Sequence, residues 1–174
     1  MKKQTILREF HRPLALLPAF MREKLHDLSD MKWMTKDVIF DESCRYSLGL
    51  KDQYDWNKLF GWCYGIFGIH RNSIRVAWRY NDESEMIEVG LYMYVDGFRF
   101  YPLRTLKLEI GKKYHMTLEN NCDMVMLKVD GYPVEEKLVA FPTEKRTYTC
   151  GLYFGGNRRA PHTMTISMDD ELSF

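Results

Sequence analysis

From Trp33 onward, apolar side chains recur at every second position, in short runs broken by tight-turn chemistry. Successive side chains of a strand point to opposite faces, so a chain patterned this way buries its apolar half only by pairing strand against strand. The runs are Trp33–Phe40, Tyr46–Leu50, Phe60–Ile69, Ser73–Tyr80, Met86–Val95, Phe98–Leu108, Lys113–Glu119, Met124–Val129, Tyr132–Leu138, Thr147–Phe154 and Thr163–Met168. Asp96-Gly97 and Asp130-Gly131 between them are two-residue hairpin turns. Many short strands joined by such turns specify an all-β fold, an antiparallel β-sandwich.

The first thirty residues differ. Phe20, Met21, Lys24, Leu25 and Leu28 fall near helical spacing in "PAFMREKLHDLSD" (18–30). The chain therefore divides into a short N-terminal helical appendage, residues 1–30, and a β-sandwich domain, residues 31–174. The apolar stretch at 14–21 contains Pro18 and runs into Arg-Glu-Lys, which is not signal-peptide chemistry. It is also far too short to span a bilayer. The expected compartment is cytoplasmic, with no membrane partner.

The formal charge is +1, so no global basic field points to nucleic acid. The four cysteines, Cys44, Cys63, Cys122 and Cys150, show no metal-binding spacing and read as buried thiols. Asp52 and Asp55 sit in a loop beside aromatic residues and read as turn formers. These residues give no metal set and no cofactor.

The stretch "SIRVAWRYNDESEMIEVGLYMYVDGFRFYPL" (73–103) carries bulky groups on both of its faces. Matching the apolar faces places Trp78 opposite Val89 and Val76 opposite Leu91. The same register sets Arg79 against Glu88 and Arg75 against Tyr92, favourable pairs of about 0.2–1 kcal/mol each. A one-residue slip would bury both arginines, so the register is strongly specified. The Asp-Gly turn then pairs Tyr94 with Arg99 and Tyr92 with Tyr101, and Pro102, which cannot donate to a ladder, calls for a bulge. One patch results: Arg75, Arg79, Glu88, Tyr92, Tyr94, Arg99 and Tyr101, with Gly90 leaving space at its middle. Trp62, Tyr64 and His70 share strand parity and extend it. Flat phenols suit sugar rings, and guanidinium forks suit carboxylates and hydroxyls.

"GKKYHMTLENNCDMVMLKVDGYPV" (111–134) and the closing "GLYFGGNRRAPHTMTISM" (151–168) resemble segments of the concanavalin A-like, laminin-G-like jelly rolls. The resemblance implies two curved antiparallel sheets with a concave face that often binds carbohydrate in relatives, and it makes calcium at the rim the one metal candidate. It also admits glycosidases, polysaccharide lyases and protein-binding modules. No strand presents the paired carboxylates of a glycosidase. Lyase chemistry needs a base and a group to neutralise a uronate, and His70, Tyr153, Arg75 and Arg79 supply those types. "GLYFGGN" is faintly similar to a closing motif of alginate-lyase-like jelly rolls. "SIRVAWRY" departs from them in having no acid between its arginines, and "GIH" has Gly68 where Gln is expected.

The sequence favours a non-catalytic, lectin-like domain that binds an oligo- or polysaccharide. A uronate-polymer lyase is the alternative, and a homo-oligomeric or other assembly module burying the arginine–tyrosine face is the third. No catalytic residue is assigned.

Overall fold

A computed structural model describes residues 1–6, 33–49, 51–65, 68–121, 123–139, 141 and 147–169. Its strands, in chain order, are β1 (Lys2–Ile6), β2 (Trp33–Phe40), β3 (Asn57–Tyr64), β4 (Ser73–Asn81), β5 (Met86–Val95), β6 (Phe98–Phe100), β7 (Thr105–Leu108), β8 (Lys113–Asn121), β9 (Met124–Val129), β10 (Tyr132–Leu138), β11 (Thr147–Cys150) and β12 (Met164–Met168). They form two antiparallel sheets. The first has the order β1-β12-β2-β8-β9-β10, and the second β11-β3-β4-β5-β6, with β7 also paired to β5.

The apolar halves of the alternating strands meet between the sheets. Val38, Phe40, Met116, Leu118, Val125 and Leu127 come from the first sheet, and Leu59, Trp62, Ile74, Val76, Trp78, Val89 and Leu91 from the second. All are almost completely removed from water, each large one worth about 1.5–3 kcal/mol of burial. Aromatic rings lock the sheets together. Phe40 and Trp78 lie 5.3 Å apart between centroids, and Tyr46 meets Phe154 edge-on at 5.3 Å.

The 73–95 hairpin has the register its side chains demand: Trp78↔Val89, Val76↔Leu91, Arg79↔Glu88 and Arg75↔Tyr92. The Asp-Gly turns take the left-handed backbone at both residues, Asp96 at φ 49° and Gly97 at φ 85°, Asp130 at φ 50° and Gly131 at φ 83°. That conformation matches strand twist.

The expected bulge splits the 98–108 run in two. Phe98–Phe100 continues the hairpin with Tyr94 opposite Arg99, and pairing resumes only at Gly90↔Thr105. The buried carboxylate of Glu135, on β10, accepts from the backbone N–H groups of Leu103 (3.0 Å) and Leu91 (3.4 Å) that the bulge leaves without a ladder. Gly90 does not leave space for a ligand. A Cβ there would lie 2.5 Å from Pro102 Cβ and 3.0 Å from the Arg104 carbonyl oxygen, so the bulge itself fills the gap.

Two expectations change, and a third is not tested. Lys2–Ile6, inside the stretch read as a helical appendage, is an edge strand paired with β12. The helical reading of 18–30 lies outside the described residues. Tyr46–Leu50 is not a strand over its described residues. It is tied in by side chains instead, with the Tyr46 hydroxyl accepting from Asn57 Nδ2 and from the Tyr80 N–H. Cys44, Cys63 and Cys150 are buried, and Cys122 lies outside the described residues.

The tight fit at Gly90 generates a first prediction. Gly90→Val should lower stability by about 1–3 kcal/mol, the usual cost of overpacking, read as a reduced denaturation midpoint at unchanged slope.

Candidate functional site

The outer face of the second sheet is where the polar half of the alternation collects. Cross-strand rows place its side chains. Arg75 of β4 sits opposite Tyr92 of β5, Ser73 opposite Tyr94, and Arg79 opposite Glu88. Tyr94 in turn sits opposite Arg99 of β6, and Lys58 of β3 opposite Ala77. Tyr153 bridges to Lys58 from the other side, through both backbone hydrogen bonds (2.8 and 2.9 Å). His70 reaches the face from a 3-10 turn, Gly68–His70, and its ring meets Tyr94 edge-on at 5.4 Å. That turn is pinned to the β5–β6 hairpin, because Asn72 Oδ1 accepts from the Asp96 N–H (2.8 Å) and the Arg71 carbonyl accepts from the Gly97 N–H (2.9 Å).

Eight of the ten sequence-selected residues therefore come together: His70, Arg75, Arg79, Glu88, Tyr92, Tyr94, Arg99 and Tyr101. Trp62 and Tyr64 do not. Trp62 is fully buried between the sheets and donates its indole N–H to the Tyr64 hydroxyl at 3.0 Å. Tyr64 also accepts from Asn120 Nδ2 of the first sheet and stacks on Phe141. Parity misled there because β3 ends at Tyr64 and the chain turns before His70, so alternation does not carry across.

The residue that sequence reasoning missed is Lys58. It stands at the centre of the face, 8% exposed, with its ammonium 4.3 Å from the Tyr92 ring centroid. Its hydrogen-bond partner is the Trp56 carbonyl. Burial, then the nearby Arg75 guanidinium, draw its pKa from the ordinary 10.5 down to about 7. The signal in the sequence was the lysine's place between Asn57 and Leu59 at the start of a strand. A bulge between Lys58 and Phe60 hides its parity, since Leu59 and Phe60 both face the core.

Around Lys58 the charges are unbalanced. Arg75 is 4% exposed. Its Nη2 makes only a long contact to the Ile69 carbonyl, 3.5 Å, and its Nε has no hydrogen-bond partner among the described residues. The guanidinium lies over the rings of Tyr92 (5.2 Å) and Tyr94 (5.7 Å). Burial, then Arg75 and Lys58, push the His70 pKa below its usual value, so the imidazole is neutral at pH 7. Burial, then the Tyr94 hydroxyl, push the Tyr92 phenol up, so it keeps its proton.

The far end of the face is balanced. Arg79 pairs with Glu88 at 2.7 Å, donates to the Tyr54 carbonyl, and lies 4.3 Å over Trp56. Glu88 also accepts from Asn81 Nδ2. Arg158 of the glycine-rich loop pairs with Asp52 at 2.9 Å. That loop closes the floor beside Lys58. Gly155 packs so tightly on the Trp56 carbonyl that a Cβ would lie 2.0 Å from its oxygen, and its N–H donates to Asn57 Oδ1. Among the described residues, no three His, Cys, Asp or Glu side chains gather to hold a metal. No helix among them is long and apolar enough to cross a membrane.

Solved structures share this architecture. The alginate lyase Aly36B matches with 16% identity and a TM-score of 0.66, over 96% of this chain and 77% of its own. An alginate lyase from Klebsiella pneumoniae matches with 11% identity and a TM-score of 0.52, over 79% of this chain. The marine alginate lyase AlyA1 from Zobellia galactanivorans matches with 14% identity and a TM-score of 0.50, over 82%. The fold is the concanavalin A-like jelly roll. This jelly roll spans 57% and 61% of the length of the last two structures. No family model matches the sequence, and no curated protein matches it.

The buried lysine generates a prediction about stability. Between about pH 7 and 10.5 the unfolded chain holds a proton on Lys58 that the folded chain has lost. Stability therefore rises with pH through that window, by up to about 1.4 kcal/mol per pH unit from this group. Lys58→Met should flatten that rise and unfold at higher denaturant than the parent at pH 6, where the parent carries the full cost of the buried ammonium.

Proposed function

We propose that the outer face of the second sheet cleaves acidic polysaccharides by β-elimination at a uronate residue. The observation that carries this reading is Lys58. A buried amine whose pKa lies near 7 is half-deprotonated at neutral pH, the condition for a general base. A surface built only to bind sugars has no need to hold an ammonium out of water without an ion pair, with Asp55 acting on it only from beyond pairing distance.

The neighbours suit that chemistry. The proton at C5 of a uronate is weakly acidic because it is adjacent to a carboxylate, and elimination builds negative charge on that group. Arg75, with an unpartnered Nε, offers the fixed positive charge that stabilises it. Neutral His70, beside Arg75, offers a hydrogen bond without adding a charge. Lys58 takes the C5 proton, the C4–C5 double bond forms, and the C4–O bond breaks. The lysine proton passes to the departing oxygen, which returns the amine to its starting state. Tyr92 and Tyr94 provide the flat apolar surface against which the sugar ring lies. The likeness in fold to structures named as alginate lyases supports a uronate polymer as the substrate class.

Wild-type protein mixed with a polyuronate should release unsaturated product, seen as rising ultraviolet absorbance. The kcat/KM should rise with pH through about 7 as Lys58 loses its proton. Lys58→Met should lower the rate by at least about 100-fold while still retarding the polymer in affinity electrophoresis. Wild-type protein that binds the polymer and forms no product would remove the cleavage and leave a saccharide-binding domain.

A further inference from the structure

The uncompensated end of the face extends beyond Lys58 and Arg75. Arg99 sits one strand spacing from Tyr94, about 4.8 Å, and Tyr94 is one outward row, about 6.8 Å, along β5 from Tyr92. Its guanidinium lies 4.7 Å over the ring of Tyr101 and is surrounded by the phenols of Tyr101, Tyr92 and Tyr94. No carboxylate among the described residues pairs with it, whereas Arg79 and Arg158 at the other end each hold one. Arg99 is exposed, and Tyr101 is 47% exposed while meeting Tyr92 edge-on at 5.7 Å.

Tyr101 is also held in place. It opens the bulge, its carbonyl accepts from Lys137 Nζ at 3.0 Å, and Lys137 pairs with Glu135, which clamps the Leu103 N–H. An exposed ring on a backbone held by two residues of the opposite sheet, set edge-on against Tyr92 and lying under a guanidinium that has no carboxylate partner among the described residues, is a platform with one polarity. A side chain placed only to cover the sheet would gain by pairing with an acid, as Arg79 does with Glu88.

We propose that Arg99 and Tyr101 form a second carboxylate subsite, which holds the uronate next to the one cleaved and makes the site selective for unbroken runs of uronates. This rests on the uronate reading of the Lys58 centre. Arg75 fixes the carboxylate of the reacting sugar, and Arg99 that of its neighbour, whose ring lies on Tyr101. A neutral sugar in that position leaves the guanidinium without a partner and forfeits a charge-assisted bond. The bond is made equally before and during elimination, so its loss acts on KM more than on kcat.

The test compares a polyuronate with a copolymer in which neutral sugars separate the uronates, using wild type and Arg99→Gln. Wild type should favour the polyuronate, and the substitution should reduce that preference in kcat/KM by roughly tenfold to a hundredfold, chiefly through KM. A preference unchanged by the substitution, or carried wholly in kcat, overturns the subsite. Affinity electrophoresis of the same proteins through both polymers separates this outcome from failure of the cleavage reading. If neither polymer is cleaved, the subsite still requires Arg99→Gln to lose retardation by the polyuronate selectively. Equal retardation of wild type and variant there overturns it too.

Discussion

Every property of the outer face depends on what the inner face of the second sheet buries. Ile74, Val76 and Trp78 on β4, with Val89, Leu91 and Met93 on β5, pack against the first sheet and are withdrawn from water. Because a strand has a period of two, that burial sends Arg75, Arg79, Glu88, Tyr92 and Tyr94 to the opposite side with no freedom of choice. Slipping the register by one residue would put two guanidinium groups into the apolar layer, at a cost the domain could not meet. The arrangement of the polar groups is thus secured by hydrophobic contacts that none of them makes.

That security allows a locally unfavourable arrangement to persist. The outer faces of the two sheets differ in this respect. On the first, Asp37 pairs with Lys113 and His115, and Lys128 pairs with Glu119, so charges are largely cancelled. On the second, cancellation stops halfway: Arg79 and Arg158 hold acids, and Lys58, Arg75 and Arg99 do not. Lys58 loses most of its hydration without forming an ion pair among the described residues, and burial together with Arg75 outweighs the opposing pull of the Asp55 carboxylate, which brings its pKa to about 7. Cations desolvated together on one face without acids to pair them are the observation from which the proposed role of that face starts.

The residues on this face do not act separately. The bulge at 101–104 removes two strand pairings, and Glu135 from the other sheet takes up the N–H groups that result. The bulge so held fills the space over Gly90 with Pro102 and the Arg104 carbonyl. On the other flank the Gly155 contact with Trp56 brings the glycine-rich loop against the same lysine.

The sandwich, its turns and the pairing of β4 with β5 were legible in the sequence, because period-two burial and Asp-Gly backbone preferences are local properties of the residues. The row Arg75, Arg79, Glu88, Tyr92, Tyr94, Arg99 and Tyr101 followed from the same parity. Lys58 was not legible, because a bulge shifts its parity and because its burial depends on Trp56, Tyr92 and the Gly155 loop, which are distant in the chain. Trp62 and Tyr64 were misplaced since parity ends where a strand ends, and Lys2–Ile6 was missed because an edge strand with one buried residue carries almost no pattern. The sequence by itself determined which side chains share a face. Only the tertiary structure decided which of them lose water and which lack a countercharge, since desolvation and pairing depend on what packs from elsewhere in the chain.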